Sequence, residues 1–163
     1  MRNRRISSLL VFAAGLGFAG LSQAQEKVLI QPTHFGPNVQ VSDAVKRECE
    51  LEAKLDEWVL EGVSKKYPGS SVGEKSGGGK VLKLTIVNVY GVGGGAYSGP
   101  KSMTVQADLM QGTKVMASTT KSRSSGGGAF GNMKGTCAIF GRVAKALGSD
   151  VAAWLPGAMN GAK

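Results

Sequence analysis

The sequence predicts an α+β fold, a two-layer sandwich in which a mixed sheet carries its helices on one face, in the order β-α-β-β-β-α. Two segments repeat apolar residues every three or four positions, which is typical of amphipathic helices. Four segments are β-branched or alternate apolar with polar residues, as strands do. The last three predicted strands have no helix between them, so they are expected to form an antiparallel meander.

The first strand and the first helix are predicted within residues 27–66. Lys27–Pro32 is expected to form a short strand that the proline stops. Ser42 and Asp43 provide a helix N-cap, and the helix is expected to continue to about Lys66. Its predicted apolar face consists of Leu51, Leu55, Trp58, Val59 and Gly62. Residues 69–80 are predicted to be a flexible connection.

Three strands make up the predicted meander. Val81–Tyr90 is rich in β-branched residues, and Met103–Leu109 alternates apolar with polar side chains. Lys114–Lys121 follows a turn at Gln111-Gly112-Thr113. Glycine-rich loops are expected at residues 91–100 and 123–131.

The closing helix is predicted from the return of a helical period after Asn132. Its apolar positions are Phe140, Val143, Leu147, Val151 and Trp154. Gly148-Ser149-Asp150 is expected to end this helix and to cap a short second one at Val151–Leu155. Residues 155–163 are expected to be a frayed tail.

The N-terminus predicts export. Basic residues precede an apolar stretch from Ile6 to Leu21, and small residues follow, as in a cleavable signal peptide. We place the cut after Ala24, so that residues 1–24 are the signal peptide and residues 25–163 form one domain. The expected location is the periplasm or the medium, and no transmembrane segment is expected in the mature chain.

Two cysteines in an oxidising compartment allow one pairing, Cys49 with Cys137, and we expect this disulfide. Two separate buried thiols and a single reactive thiol are the alternatives.

The charges are unevenly distributed. Residues 43–61 hold seven acidic and three basic residues, whereas residues 62–163 hold thirteen basic and three acidic ones. Basic residues beside glycine-rich loops are expected to form a rim that binds an anion or a protein partner. These candidate residues are Lys80, Lys101, Lys121, Arg123, Lys134, Gly93, Gly94, Gly95, Gly126, Gly127 and Gly128.

Other function classes find little support. Gly126–Gly131 matches GxGxxG but follows an antiparallel strand, so flexible loops are favoured over a nucleotide site. One His and two Cys are too few for a four-ligand zinc site, and no cofactor, metal or catalytic residue is predicted. Exposed aromatic residues that stack on bases are scarce, which argues against nucleic acid. A hydrolase would need His34, or the ladder of Glu48, Glu52 and Asp56, to line a pocket.

Lys27–Pro32, Val81–Ser98 with Gly91–Gly95, and Cys137–Leu155 carry a resemblance to a loose group of exported bacterial proteins of unknown function. This layout is similar to the small α/β domain of the penicillin-binding-protein activator and curli-secretion lipoproteins. Those lipoproteins use a lipobox cysteine, which this sequence lacks. The resemblance implies binding or assembly in the envelope, and no site residue is carried over.

We therefore expect a non-enzymatic envelope binding or accessory protein that acts through its basic glycine-rich loops. Its expected partner is an envelope protein or an anionic envelope polymer. A periplasmic inhibitor or immunity protein of a cell-wall enzyme, using Gly91–Pro100, is the alternative, and an envelope hydrolase is the less favoured one.

Overall fold

The computed structural model describes residues 26–74, 79–91, 99–126 and 134–161, and in these segments six strands and three helices form. In chain order they are β1 (Val28–Ile30), β2 (His34–Phe35), α1 (Asp43–Cys49), α2 (Leu51–Ser64), β3 (Ser71–Val72), β4 (Lys80–Tyr90), β5 (Lys101–Gln111), β6 (Lys114–Ser125) and α3 (Thr136–Gly161). The predicted α+β class is confirmed, with β2 and β3 as short additional strands. The predicted signal peptide lies outside the described residues.

The six strands form one mixed sheet in the order β3-β1-β4-β5-β6, and β2 also pairs with β4. β1 and β2 both run parallel to β4, beside its first and second halves. β4, β5 and β6 are antiparallel neighbours, as the meander prediction requires. A turn with Gly112 in the left-handed region, at a φ of 59°, joins β5 to β6.

The core lies on one side of this sheet. Alternate residues of β4 and β5 are buried there, namely Leu82, Leu84, Ile86, Met103, Val105, Ala107 and Leu109. α3 packs against β5 and β6, and α2 packs against β1 and α3. Because a strand points successive side chains to opposite faces, the residues between the buried ones form the other face. The prediction that the helices share one face of the sheet is thus confirmed.

The two long helices approach each other closely at two glycines. A Cβ atom added to Gly148 of α3 would lie 2.7 Å from the Cβ of Trp58 on α2, and 2.8 Å from the carbonyl carbon of Trp58. A Cβ added to Gly62 of α2 would lie 2.6 Å from the Cβ of Ala152. Since real Cβ atoms do not approach that closely, the helix–helix distance depends on both glycines.

The predicted first helix is divided, which corrects the expectation of one continuous helix to Lys66. Glu50 adopts the left-handed conformation, at φ 46° and ψ 48°, between α1 and α2. The buried residues of α1 end at Cys49 and those of α2 begin at Leu51. Two positions correspond to about 200° around a helix, so an unbroken helix could not bury both sets on one face. The break realigns them.

The closing helix is continuous, which corrects two further expectations. α3 does not end at Gly148, because this glycine is a packing position against Trp58 and not a helix cap. The residues expected to fray remain helical to Gly161, with Pro156 inside the helix. Ala158 and Met159 are buried beyond that proline, so apolar burial offsets the backbone hydrogen bond that proline cannot make.

The predicted disulfide is present. Cys49 at the end of α1 is bonded to Cys137 in the first turn of α3, with the two Cα atoms 4.8 Å apart. The bond closes a loop of 88 residues. In the chain-entropy model such a loop stabilises the fold by roughly 4–5 kcal/mol. A disulfide is also typical of proteins that work outside the cytoplasm.

None of the helices in the described segments is long and apolar enough to cross a membrane.

The close contact between α2 and α3 predicts a large difference between two Gly→Ala variants of the same helix. Gly148→Ala should lower the free energy of unfolding by about 1–3 kcal/mol, because the added methyl group overlaps Trp58. Gly141→Ala, with no heavy atom within 4 Å of the added Cβ, should raise it by about 1 kcal/mol through helix propensity. Urea denaturation measures both. Equal changes in the free energy of unfolding for the two variants would contradict the close contact between Gly148 and Trp58.

Candidate functional site

The structure does not bring all the predicted basic residues to one rim. Lys80 begins β4 and pairs with Gln111, at the end of the sheet near the β5–β6 turn. Lys101 and Arg123 lie toward the opposite end, near Tyr90. The 11 residues of β4 separate the two ends by about 30 Å. Lys80 also forms an ion pair with Glu26, at 2.8 Å between Nζ and Oε1.

Lys101 lies inside the protein and not on an exposed rim. Its side chain is fully buried, and burial lowers the pKa of its amine. A Cβ atom on Gly91 would lie 2.2 Å from Lys101 Cδ and 3.3 Å from Phe140, so the lysine stem occupies the space that this glycine leaves. Lys101 therefore belongs to the packing at the end of β4 and cannot act as a surface contact in this conformation.

Arg123 is engaged within the protein. Its Nε and Nη2 atoms donate hydrogen bonds to the Asp150 carboxylate, both at 2.6 Å, and tie β6 to α3. Half-buried Lys121 lies on the same face of β6 and lowers the pKa of Asp150 further. Lys134 is half-buried and Gly126 is exposed. The remaining predicted glycines, Gly93, Gly94, Gly95, Gly127 and Gly128, lie outside the described residues.

The side chains considered for hydrolysis are distributed over three elements, α1, α2 and β2. Glu48 is on α1, whereas Glu52 and Asp56 are on α2 beyond the break. The Asp56 carboxylate accepts hydrogen bonds from Thr33, from the backbone N at 3.0 Å and from Oγ1 at 2.6 Å. It thereby connects α2 to the segment between β1 and β2. His34 is exposed on β2, with its Nε2 atom 3.4 Å from Thr85 Oγ1.

A β-bulge in β4 creates a different surface. The pairing of β4 with β5 shifts between Ile86 and Asn88, so that Val87 is the extra residue. Before the bulge Leu82, Leu84 and Ile86 are buried. After it Val89 is buried, and Asn88 and Tyr90 are exposed. A bulge of this kind re-aims the side chains that follow it. Without it, Asn88 and Tyr90 would face the core.

The exposed end of β4 lines a groove, which we call the Tyr90 groove. Its walls are Asn38, Gln40, Asn88, Val89, Tyr90 and Gly91, and its volume is about 510 Å³. A smaller cavity of about 160 Å³ adjoins it at Asn38. Volumes of several hundred Å³ are typical of small-molecule sites.

The polar groups of the Tyr90 groove are neutral and available. Within the described segments, no hydrogen bond engages the side-chain amides of Asn38, Gln40 or Asn88, and all three residues are exposed. Each amide offers two donors and an acceptor. Tyr90 is 64% exposed, and its ring and hydroxyl group face solvent. The groove therefore combines free hydrogen-bonding groups with one aromatic surface.

Asn88 and Tyr90 also belong to the sheet face that the helices leave uncovered, which we call the open face. The strand pairings place its residues in rows across β4, β5 and β6. Starting from the Tyr90 groove, the rows are Tyr90, Ser102 and Ser124; Asn88, Thr104 and Ser122; Thr85, Gln106 and Thr120; and Lys83, Asp108 and Ser118. Arg123 contacts α3 on the other face, which confirms that its neighbours Ser122 and Ser124 point away from the helices.

The open face was not among the predicted sites, although the sequence indicates some of the residues that lie on it. The alternation in Met103–Leu109 places Thr104, Gln106 and Asp108 on one face. Ile86-Val87 puts two apolar residues in succession within an alternating strand, which marks the change of phase at the bulge. Nothing local in the sequence indicates that Asn38 and Gln40 lie beside Tyr90.

Comparison with known proteins shows the fold at low sequence identity. A PelC dodecamer from Paraburkholderia phytofirmans has a TM-score of 0.50 and 12% identity, covering 78% of this chain and 86% of that one. A Xanthomonas campestris protein of the DUF330 family has a TM-score of 0.52 and 13% identity, covering 85% and 87%. A homologue of the neuraminyllactose-binding hemagglutinin from Helicobacter pylori has a TM-score of 0.52 and 10% identity, covering 85% and 88%.

Neither a protein-family model nor a curated protein sequence matches the chain. The structural likeness supports the predicted resemblance to exported bacterial proteins at the level of the fold. The closer resemblance to penicillin-binding-protein activator and curli-secretion lipoproteins stays a prediction.

The Arg123–Asp150 pair predicts a pH-dependent contribution to stability. Arg123 holds the pKa of Asp150 below its usual value of 3.8, so the folded chain binds that proton more weakly than the unfolded chain does. The stabilisation by the pair is complete at pH values above the usual pKa of Asp150. It is lost as the pH falls through the lowered pKa of the folded chain. Asp150→Asn should lower the free energy of unfolding slightly near neutral pH, since Arg123 is half-exposed and exposed ion pairs contribute little to stability.

The difference in the free energy of unfolding between the wild type and Asp150→Asn should become smaller below about pH 4. Denaturation curves across the acid range measure it, with the exposed Glu57→Gln variant of α2 as the control. A difference that stayed constant down to about pH 2 would show that the pair does not stabilise the fold through the carboxylate charge.

Proposed function

We propose that this protein is an exported, non-enzymatic binding protein of the bacterial cell envelope, and that it binds its partner at the Tyr90 groove. The basic and apolar N-terminal leader supports export, and the disulfide suits an oxidising compartment. The fold is shared with PelC and with the hemagglutinin homologue, at a level that supports the architecture alone.

The Tyr90 groove is the observation that carries the proposal. Its exposed ring and three unengaged amides project from the end of β4 and from the segment that follows β2. Aromatic residues with few rotamers bind partners at low entropic cost, and tyrosine is enriched at binding surfaces. Amide and phenol groups contribute to binding by hydrogen bonding and by packing against the ligand.

The groove replaces the basic rim as the proposed contact surface. Lys101 is buried, Arg123 is engaged by Asp150, and Lys80 lies at the far end of the sheet. An inhibitor that inserts residues 91–100 into a cell-wall enzyme stays a prediction, because most of that loop lies outside the described residues. The hydrolase alternative also stays a prediction.

Saturable binding to the envelope tests the proposal. The mature chain, residues 25–163, is titrated onto an envelope fraction of a Gram-negative bacterium that contains sacculi and outer membrane, and the bound protein is measured by sedimentation. We expect saturable binding that weakens by about tenfold or more in the Tyr90→Ala/Asn88→Ala variant, since a central aromatic contact and its hydrogen bonds are lost.

Val115→Ala is the matched control, because Val115 is 50% exposed near the opposite end of the sheet. Its binding should equal that of the wild type. The proposal is contradicted if binding does not saturate, or if the groove variant and the control bind equally. Unfolding curves of each variant verify that the fold is retained.

A further inference from the structure

We infer that the ligand is an uncharged oligosaccharide that packs against Tyr90 and extends along the strands of the open face; this inference rests on the proposed function and names its ligand class. Three observations carry it: the charge of the open face, the arrangement of its polar groups, and the position of Tyr90 at its end. Each concerns described residues on β4, β5 and β6.

The open face is nearly neutral in a strongly basic protein. The chain has 20 Lys and Arg against 11 Asp and Glu, but the three rows nearest the Tyr90 groove hold neither. Lys83 and Asp108 lie opposite each other in the fourth row, where their charges compensate. A surface that binds a polyanion concentrates basic side chains, so the charge of this face complements a neutral ligand.

The polar groups of the open face are those that hydroxyl-rich ligands bind. Hydroxyl and amide side chains both donate and accept hydrogen bonds, as sugar hydroxyl groups do. Thr104 Oγ1 donates to Ser122 Oγ at 3.0 Å, which aligns the second row. Asp108 accepts from Gln106 Nε2 at 3.0 Å and from Ser118, so the carboxylate is occupied by its neighbours.

The rows repeat along the sheet at about 7 Å, the distance of two residues in a strand. A chain of similar units that lies along the strands therefore meets similar groups at each row. A sheet face of this kind binds oligosaccharides in other folds, such as the five-stranded OB barrel.

Tyr90 supplies the apolar part of such a site. One face of a pyranose ring presents C–H groups, which pack against an aromatic ring while the equatorial hydroxyl groups reach the surrounding polar side chains. Tyr90 is exposed, and Asn88, Asn38 and Gln40 line the groove around it. Of the other exposed large apolar residues in the described segments, Val87 borders the groove at the bulge and Val115 lies at the far end of the sheet. Because they are far apart, they do not form the continuous apolar centre that a protein partner buries.

The test is calorimetric titration of the mature chain with three tetrasaccharides: N-acetylglucosamine tetramer, cellotetraose and the acidic tetragalacturonate. We expect binding of at least one neutral tetramer, with a Kd that changes less than about twofold between roughly 50 and 500 mM salt. Tyr90→Ala should weaken it by about tenfold, whereas Tyr90→Phe, which keeps the ring, should retain most of the affinity.

A matched pair of substitutions tests the open face itself. Thr120→Lys places a long charged side chain in the third row, whereas Thr113→Lys places the same side chain in the β5–β6 turn. The first should weaken binding by about tenfold and the second should leave it within about twofold. Both positions are exposed, so both variants are expected to fold.

Three results would overturn the inference: no heat with either neutral tetramer, binding of the acidic tetramer alone with steep salt dependence, or equal effects of the two lysine substitutions. If the envelope fraction is bound through the Tyr90 groove while both neutral tetramers fail, the ligand class is wrong and the binding function stands. If the envelope fraction is not bound saturably, the proposed function itself fails.

Discussion

The fold depends on the close approach of α2 and α3, which two glycines permit. Gly148 leaves room for the backbone of Trp58, and Gly62 leaves room for Ala152. Because the helices pack this tightly, both fit on one face of the sheet and share one core with β4 and β5. Among the described helices none packs on the other face, and its four rows nearest the Tyr90 groove are polar apart from Tyr90 itself. One packing constraint thus determines which surface remains available for binding.

α3 receives three further connections that hold this layer in place. The Cys49–Cys137 disulfide joins its first turn to the end of α1, and Asp150 near its middle is bonded to Arg123 on β6. Lys145 lies over the ring of Trp58, with Nζ 4.4 Å from the ring centroid. These contacts use charged residues for internal structure on the helix side of the sheet. Arg123 is the predicted rim residue that these contacts engage, and its guanidinium is directed toward α3.

The sequence predicts the elements of this fold better than its site. Alternating and helical patterns are local, and they identify the four main strands, the closing helix and the single cysteine pairing. The wrong predictions concern residues whose role depends on a contact distant in the sequence. The sequence around Gly148 predicts a helix end, but this glycine packs against Trp58 on another helix. Lys101 is predicted to be exposed, but its stem fills the space beside Gly91. Lys80 and Arg123 flank glycine loops that are similar in sequence, yet the strand register places them at opposite ends. The Tyr90 groove requires the phase change at Val87 and the position of Gln40, and the latter is set by the pairing of β2 with β4.

The different roles of the two sheet faces are tested most directly by hydroxyl-radical footprinting of the mature chain, free and bound to the envelope fraction. We predict protection of Tyr90 on binding, with unchanged oxidation at Val115 and at Trp58 on the helix side. Protection of Trp58 or Val115 with Tyr90 unchanged would contradict the account, because the partner would then occupy the helix layer or the far end of the sheet.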